Sequence, residues 1–129
     1  MNTAAVTELM TAKGHEEVVF VADAPSRLRV IISVHSTALG PSLGGIRFWH
    51  YPSEQDAVVD ALRLSEAMSL KAAAAGLAQG GGKAVVLVDD PDAPRTDALL
   101  RAMGRAIDDL GGRYIAAEDV GATPHDMQV

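Results

Sequence analysis

Apolar residues change their spacing several times along this chain, and each change marks a predicted element. Residues 3–13 predict a short helix, with Gly14 as its C-terminal stop. Two β-rich runs follow, EVVFVA at 17–22 and LRVIISVH at 28–35, separated by Asp-Ala-Pro-Ser-Arg. Such a pair predicts an antiparallel hairpin with a five-residue loop. The stretch STALGPSLGG at 36–45 is rich in Gly, Ser and Pro and predicts a loop, with a brief return to strand at 46–49.

Ser53 followed by Asp56 is an N-cap pair in which Asp stands in for the usual Glu of a capping box. It opens a predicted helix from residue 54 to about 75, ended by Gly76. Val58, Ala61, Leu62, Ser65 and Met68 fall on one face; Asp56, Asp60, Arg63 and Glu66 lie towards the other. Three glycines, Gly80, Gly81 and Gly82, lead into KAVVLVD at 83–89, an apolar run expected to be a buried strand. Thr96 caps a helix reaching about residue 110, and RYIAA at 113–117 is a last strand. Strand–helix–strand order in this half implies a βαβ crossover and local parallel pairing. The predicted fold class is α/β. Thr123, Pro124 and Asp126 carry helix-start signals, so the end of the chain is expected to be the first turn of a helix in a longer protein.

A length of 129 residues suits one domain. Seventeen acids against eleven bases give a net charge of −6, which argues against nucleic acid, whose phosphates need a basic face. Cysteine is absent, which excludes thiol catalysis, disulfide scaffolds and Cys-ligated metals. Glu8 stands where an export signal needs a basic start and an apolar run. The longest uncharged stretch, 30–46, is broken by Ser, His, Gly and Pro, so no membrane span is expected. A cytoplasmic protein is the expectation.

Only three of the eleven basic residues are lysine: Lys13, Lys71 and Lys83. Lysine can lose its proton when desolvated and arginine cannot, which directs attention to these positions. Lys71 is the only charged residue between Ala67 and Gly82. It is either a lysine that snorkels to solvent or a cation that receives an anionic group such as a carboxylate. Lys83 follows the three glycines and opens the apolar strand, where burial would lower its pKa and make it a base near neutrality; the alternative is a plain strand-edge lysine. The phosphate-binding loop is excluded, because Leu77 replaces its first Gly and Ala84 its hydroxyl residue. Glu118 and Asp119 follow the last strand, at the end where ligands bind in α/β sheets. His15, His35, His50 and His125 show no metal-ligand spacing. Two lysines and an acid suit work at the α-carbon of an amino or keto acid.

At these residues the chain resembles a known family. HEEVVF at 15–20, the long run 35–77 from HSTALGPSLGG to KAAAAGL, GGGKAVV at 80–86 and GGRYIAAEDVGAT at 111–123 stand in order and cover nearly everything after residue 14. Together they resemble the N-terminal, substrate-binding and oligomerisation domain of the Glu/Leu/Phe/Val dehydrogenases, nearest in motif to the leucine, valine and phenylalanine members. The resemblance implies a mixed β-sheet flanked by helices over residues 1–129, without the Rossmann domain. It implies oxidative deamination of a branched-chain or aromatic L-amino acid to a 2-oxo acid and ammonium, with NAD bound mainly by a domain missing here. Lys71 would hold the substrate carboxylate. Lys83 would be the catalytic lysine that activates water, and Asp119 the acid that moves a proton on the nitrogen side. Leu43, Gly44, Met68 and Ala117 would line the side-chain pocket. A homo-oligomer is implied, with the N-terminal hairpin offering a strand edge.

The family pattern usually has an aromatic and an amide where Leu70 and Ala72 stand, and a Thr where Ala122 stands. These changes remove polar groups near the implied substrate site and leave the three chemical side chains in place. The alternative is a stand-alone, non-catalytic oligomerisation or small-molecule-binding domain derived from the family.

Overall fold

The computed structural model describes residues 3–117. In chain order these form α1 (Thr3–Lys13), β1 (Glu17–Asp23), β2 (Leu28–Val34), β3 (Ser42–Trp49), α2 (Glu54–Ala74), β4 (Gly80–Leu87), α3 (Asp97–Asp108) and β5 (Tyr114–Ala117). One five-stranded sheet runs β1-β2-β4-β3-β5. The pairs β1–β2 and β2–β4 are antiparallel, whereas β3 pairs parallel with both β4 and β5. The sheet is therefore mixed, as expected. Helix α2 carries the chain from β3 to its parallel neighbour β4. The crossover through α3 joins β4 to β5 with β3 lying between them.

Period-two alternation divides the sheet into two packed faces. Leu28, Val30, Ile32, Ile46, Phe48, Ala84 and Val86 face α3, where Leu100, Met103 and Ala106 cover them. Ile31 and Val85 point the other way and meet Ala57, Val58, Ala61 and Leu62 of α2, with Val6 and Met10 of α1 beside them.

Local signals place α2 well. The Ser53 side chain accepts a hydrogen bond from the Asp56 amide at 3.1 Å, satisfying one of the orphan donors of the first turn. At the other end Gly76 turns left-handed (φ 70°), and the Leu77 amide returns to the Ala72 carbonyl at 3.0 Å. That is a glycine-terminated Schellman stop.

Several boundaries differ from the sequence expectation: β2 ends at Val34, β4 at Leu87 and α3 at Asp108, β5 begins at Tyr114, and three further shifts have a local cause. β1 extends to Asp23, whose carboxylate accepts from the Ser26 amide and hydroxyl, so the hairpin loop is one residue shorter. β3 begins at Ser42, inside the stretch expected to be loop, and β4 begins at Gly80 rather than after the glycines. In both strands glycine serves close packing, which outweighs its poor strand propensity. The helix start expected at Thr123 lies outside the described residues.

Candidate functional site

The three glycines before Lys83 admit neighbouring protein atoms. A Cβ on Gly81 would lie 2.1 Å from the Ser69 nitrogen and 2.4 Å from the Ser65 carbonyl oxygen, so the backbone of α2 rests directly on β4 there. A Cβ on Gly80 would meet the Ser36 carbonyl at 1.7 Å, and one on Gly82 the Tyr114 ring at 2.7 Å. Gly44, on the adjacent strand, faces the Gly82 carbonyl at 1.6 Å in the same sense. Its own carbonyl, with that of Gly45, accepts the buried Tyr114 hydroxyl. This close approach draws the second half of α2 and the start of β4 into one rigid unit.

Lys83 follows directly. It lies opposite Ser33 of β2 in the central strand and is only 5% exposed. The edge-strand alternative is thereby removed. Alternation puts it on the α2 face with Gly81 and Val85. Burial is the main cause that lowers its pKa, to about 8. The positive charges of Arg47 and Lys71 push the same way, and Asp60 partly opposes them. A lysine at this value exchanges its proton near neutral pH.

Lys71 differs. It occupies the last turn of α2 and is exposed, as are Leu70 and the residues after Ala72 up to Ala78. The final turns of α2 project past the sheet, so apolar neighbours in sequence do not desolvate this lysine. Only one of the two lysines is buried, yet they lie close enough for the charge of Lys71 to act on Lys83.

Strand register places the other expected site residues. Leu43 pairs with Gly81 on one side and with Ile115 on the other. Gly45 pairs with Ala117. Continuing the β3–β4 register from Leu43 to Ile46 sets Gly45 beside Lys83. Ala117, Gly45 and Lys83 thus form one row across three parallel strands. Met68 is half-buried where α2 touches Gly81. Asp119 lies outside the described residues.

Residues missed in the sequence complete the surroundings of Lys83. Asp60 was expected to face solvent, but its side chain is only 16% exposed. It accepts from Arg47 at 3.2 Å, Tyr51 at 2.5 Å and Arg63 at 2.8 Å. Burial raises its carboxyl pKa, but these donors outweigh that and hold it below the ordinary value. The same environment pushes the Tyr51 phenol up, chiefly by burial. The available signal was the three-residue spacing of Asp60 and Arg63; the partners Arg47 and Tyr51 come from elsewhere in the fold.

Among the described residues no group of His, Asp and Glu could hold a metal ion, and no helix is long and apolar enough to cross a membrane. A cleft of about 760 Å³ lies at the opposite end of the sheet, between the hairpin tip and residues 93–96. It contains none of the residues expected in the site.

Comparison with known proteins shows the family and the fold. The family described as "Glu/Leu/Phe/Val dehydrogenase, dimerisation domain" matches residues 15–129. Leucine dehydrogenase of Bacillus cereus is 49% identical over 127 residues, covering 98% of this chain and 34% of that protein. Valine dehydrogenase of Streptomyces virginiae is 53% identical over 116 residues, covering 90% and 32%. The crystal structure of L-tryptophan dehydrogenase from Nostoc punctiforme superposes with a TM-score of 0.90 at 44% identity, covering 95% of this chain and 36% of that one. The chain thus spans about a third of the length of the relatives it matches. It belongs to the Glu/Leu/Phe/Val dehydrogenase family and is the dimerisation domain of that family.

Proposed function

We propose that this chain is the substrate half of an NAD-dependent dehydrogenase that deaminates a branched-chain or aromatic L-amino acid to a 2-oxo acid and ammonium. The observation that carries the reading is one buried lysine of lowered pKa beside one exposed lysine, both on elements locked together at Gly81. The exposed ammonium of Lys71 holds the substrate carboxylate by a charge-assisted hydrogen bond. Lys83, neutral for part of the time near pH 8, takes a proton from the water that adds to the C=N carbon of the imino acid, the C=N electron pair passing to nitrogen. As ammonium it then stabilises the oxygen of the carbinolamine. Asp119 exchanges the proton on nitrogen. Leu43, Gly44, Met68 and Ala117 set the size of the side-chain pocket.

The described residues offer no cradle for a dinucleotide. The glycine run is filled by the protein's own backbone and by Tyr114, and it forms the first residues of β4 rather than linking a strand to a helix. NAD is assigned to a part of the protein beyond these residues. A cytoplasmic homo-oligomer fits the reading: β1 is a sheet edge, and Phe20 on it is 52% exposed.

Titration calorimetry with a branched-chain 2-oxo acid tests the proposal. Weak binding that Lys71→Ala abolishes supports it. Binding undiminished in that variant removes the assigned role of Lys71 and favours a non-catalytic domain.

A further inference from the structure

One hydroxyl joins the two elements that carry the lysines. Ser69 Oγ accepts a hydrogen bond from the Gly81 amide at 2.9 Å and lies 2.6 Å from His35 Nδ1. His35 Nε2 lies 2.8 Å from the Lys13 carbonyl oxygen, which can only accept. That nitrogen therefore carries the ring proton in the neutral imidazole, and Nδ1 is left as the acceptor for the Ser69 hydroxyl. Every donor in the chain Gly81 N–H to Ser69 O–H to His35 has one acceptor, so the order of the bonds is fixed. The His35 amide also donates to the Gly81 carbonyl at 2.9 Å, and the His15 ring packs edge-on against His35 with centroids 4.6 Å apart.

Lys71 lies two residues after Ser69, and Lys83 two residues after Gly81. We propose that Ser69 and His35 are a positioning pair, in which the imidazole-held serine hydroxyl sets the offset between the carboxylate-binding lysine on α2 and the catalytic lysine on β4. The inference rests on the roles given above to Lys71 and Lys83. Neither Ser69 nor His35 touches the substrate in this scheme. Packing brings α2 against Gly81, and the Ser33–Ser65 hydroxyl pair ties the helix to β2 at 2.8 Å, one strand away from Lys83. The Ser69 hydroxyl adds a directional bond to β4 itself, two residues from Lys83, and so sets the helix against the strand that carries this lysine. Displacement of a reacting group by about 1 Å can cost a factor of 10² in rate.

The test uses the complete gene product with three variants, Ser69→Ala, Ser69→Thr and Lys83→Ala. Amide hydrogen exchange at Gly81, acylation of the Lys83 amine followed by mass spectrometry, and steady-state kinetics are read on each. In Ser69→Ala the Gly81 amide is expected to exchange at least about tenfold faster. The acylation rate of Lys83 shifts while that of Lys13 does not. The value of kcat falls about 10- to 100-fold with KM for the amino acid within about threefold. Ser69→Thr, which keeps the hydroxyl, restores all three. Unchanged Gly81 exchange and Lys83 acylation in Ser69→Ala overturn the proposal, as does a kcat within twofold of the parent, or a loss that threonine does not restore. Lys83→Ala separates the two levels. If it retains full activity, the catalytic reading of Lys83 fails. If it is inactive while Ser69→Ala is not, the positioning inference alone fails.

Discussion

Replacing Gly81 by alanine adds a single methyl group at the point where helix and strand meet. The added Cβ would lie 2.1 Å from the Ser69 nitrogen, 2.4 Å from the Ser65 carbonyl oxygen and 2.7 Å from the Met68 carbonyl carbon. All three are main-chain atoms of α2, so no change of rotamer relieves the contact. To reach ordinary van der Waals distance, α2 must retreat from β4 by about 1 Å or more. The same helix supplies Ala57, Val58, Ala61 and Leu62 to the core, and their packing against Ile31 and Val85 loosens as it moves. Overpacking of this kind costs about 1–3 kcal/mol, and the rigid partners put this site at the upper end. For a domain of this size, about 3 kcal/mol lowers Tm by about 10 °C. Thermal unfolding followed by circular dichroism reads the shift. Gly104→Ala in α3 is the control, since nothing lies within 4 Å of its added Cβ, and it should gain about 1 kcal/mol from helix propensity. A Gly81→Ala protein melting within 2 °C of the parent, while Gly104→Ala behaves as stated, would refute the account of the glycine run.

Further outcomes follow from buried polar groups. Tyr114→Phe removes a hydroxyl that donates to the Gly44 and Gly45 carbonyls and leaves both without that donor, costing about 1–3 kcal/mol in urea unfolding. Ser65→Ala takes away the partner that Ser33 Oγ meets at 2.8 Å in a fully buried site. It should cost about 1–3 kcal/mol, and Ser33→Ala added on top should cost less than it does alone. Lys83→Met should stabilise the domain. The folded state releases the Lys83 proton near pH 8 and the unfolded chain near 10.5, so between these values the unfolded chain binds more protons and wild-type stability rises with pH. The protonation-linked advantage of Met is accordingly full below about pH 8, on the order of 3 kcal/mol, and vanishes above 10.5. Denaturant unfolding of both proteins at pH 7 and pH 10 checks the sign.

What could be seen in the sequence was what local chemistry dictates. Helix α2 was placed within a residue at each end, because its signals, Ser53 with Asp56 and Gly76, act over one turn. The glycine-rich starts of β3 and β4 were hidden, because they become strands only through Gly81 meeting α2 and Gly44 meeting Gly82. Lys83 stood out as a lone lysine before an apolar run, but its burial depends on β2 and β3 closing on either side of β4. Asp60 was turned outward by helical periodicity. Its place is decided by Arg47 and Tyr51, which reach it from β3 and the loop beyond. For Lys71 the sequence left open a lysine that reaches solvent and a cation that receives an anionic group, and its side chain is exposed. Leu70 and Leu77 around it are 67% and 47% exposed, so composition there describes an open end of the helix and not a core.

The role given to Lys83 is tested most directly by its own titration. Selective ¹⁵N or ¹³C labelling of the three lysines, with spectra recorded from pH 6 to 11, follows each amine separately. A midpoint for Lys83 near 8, moving further down in Asp60→Asn as the opposing carboxylate charge is removed, is the predicted result. A Lys83 midpoint near 10.5, indifferent to Asp60, would contradict a buried lysine tuned to exchange its proton near neutrality.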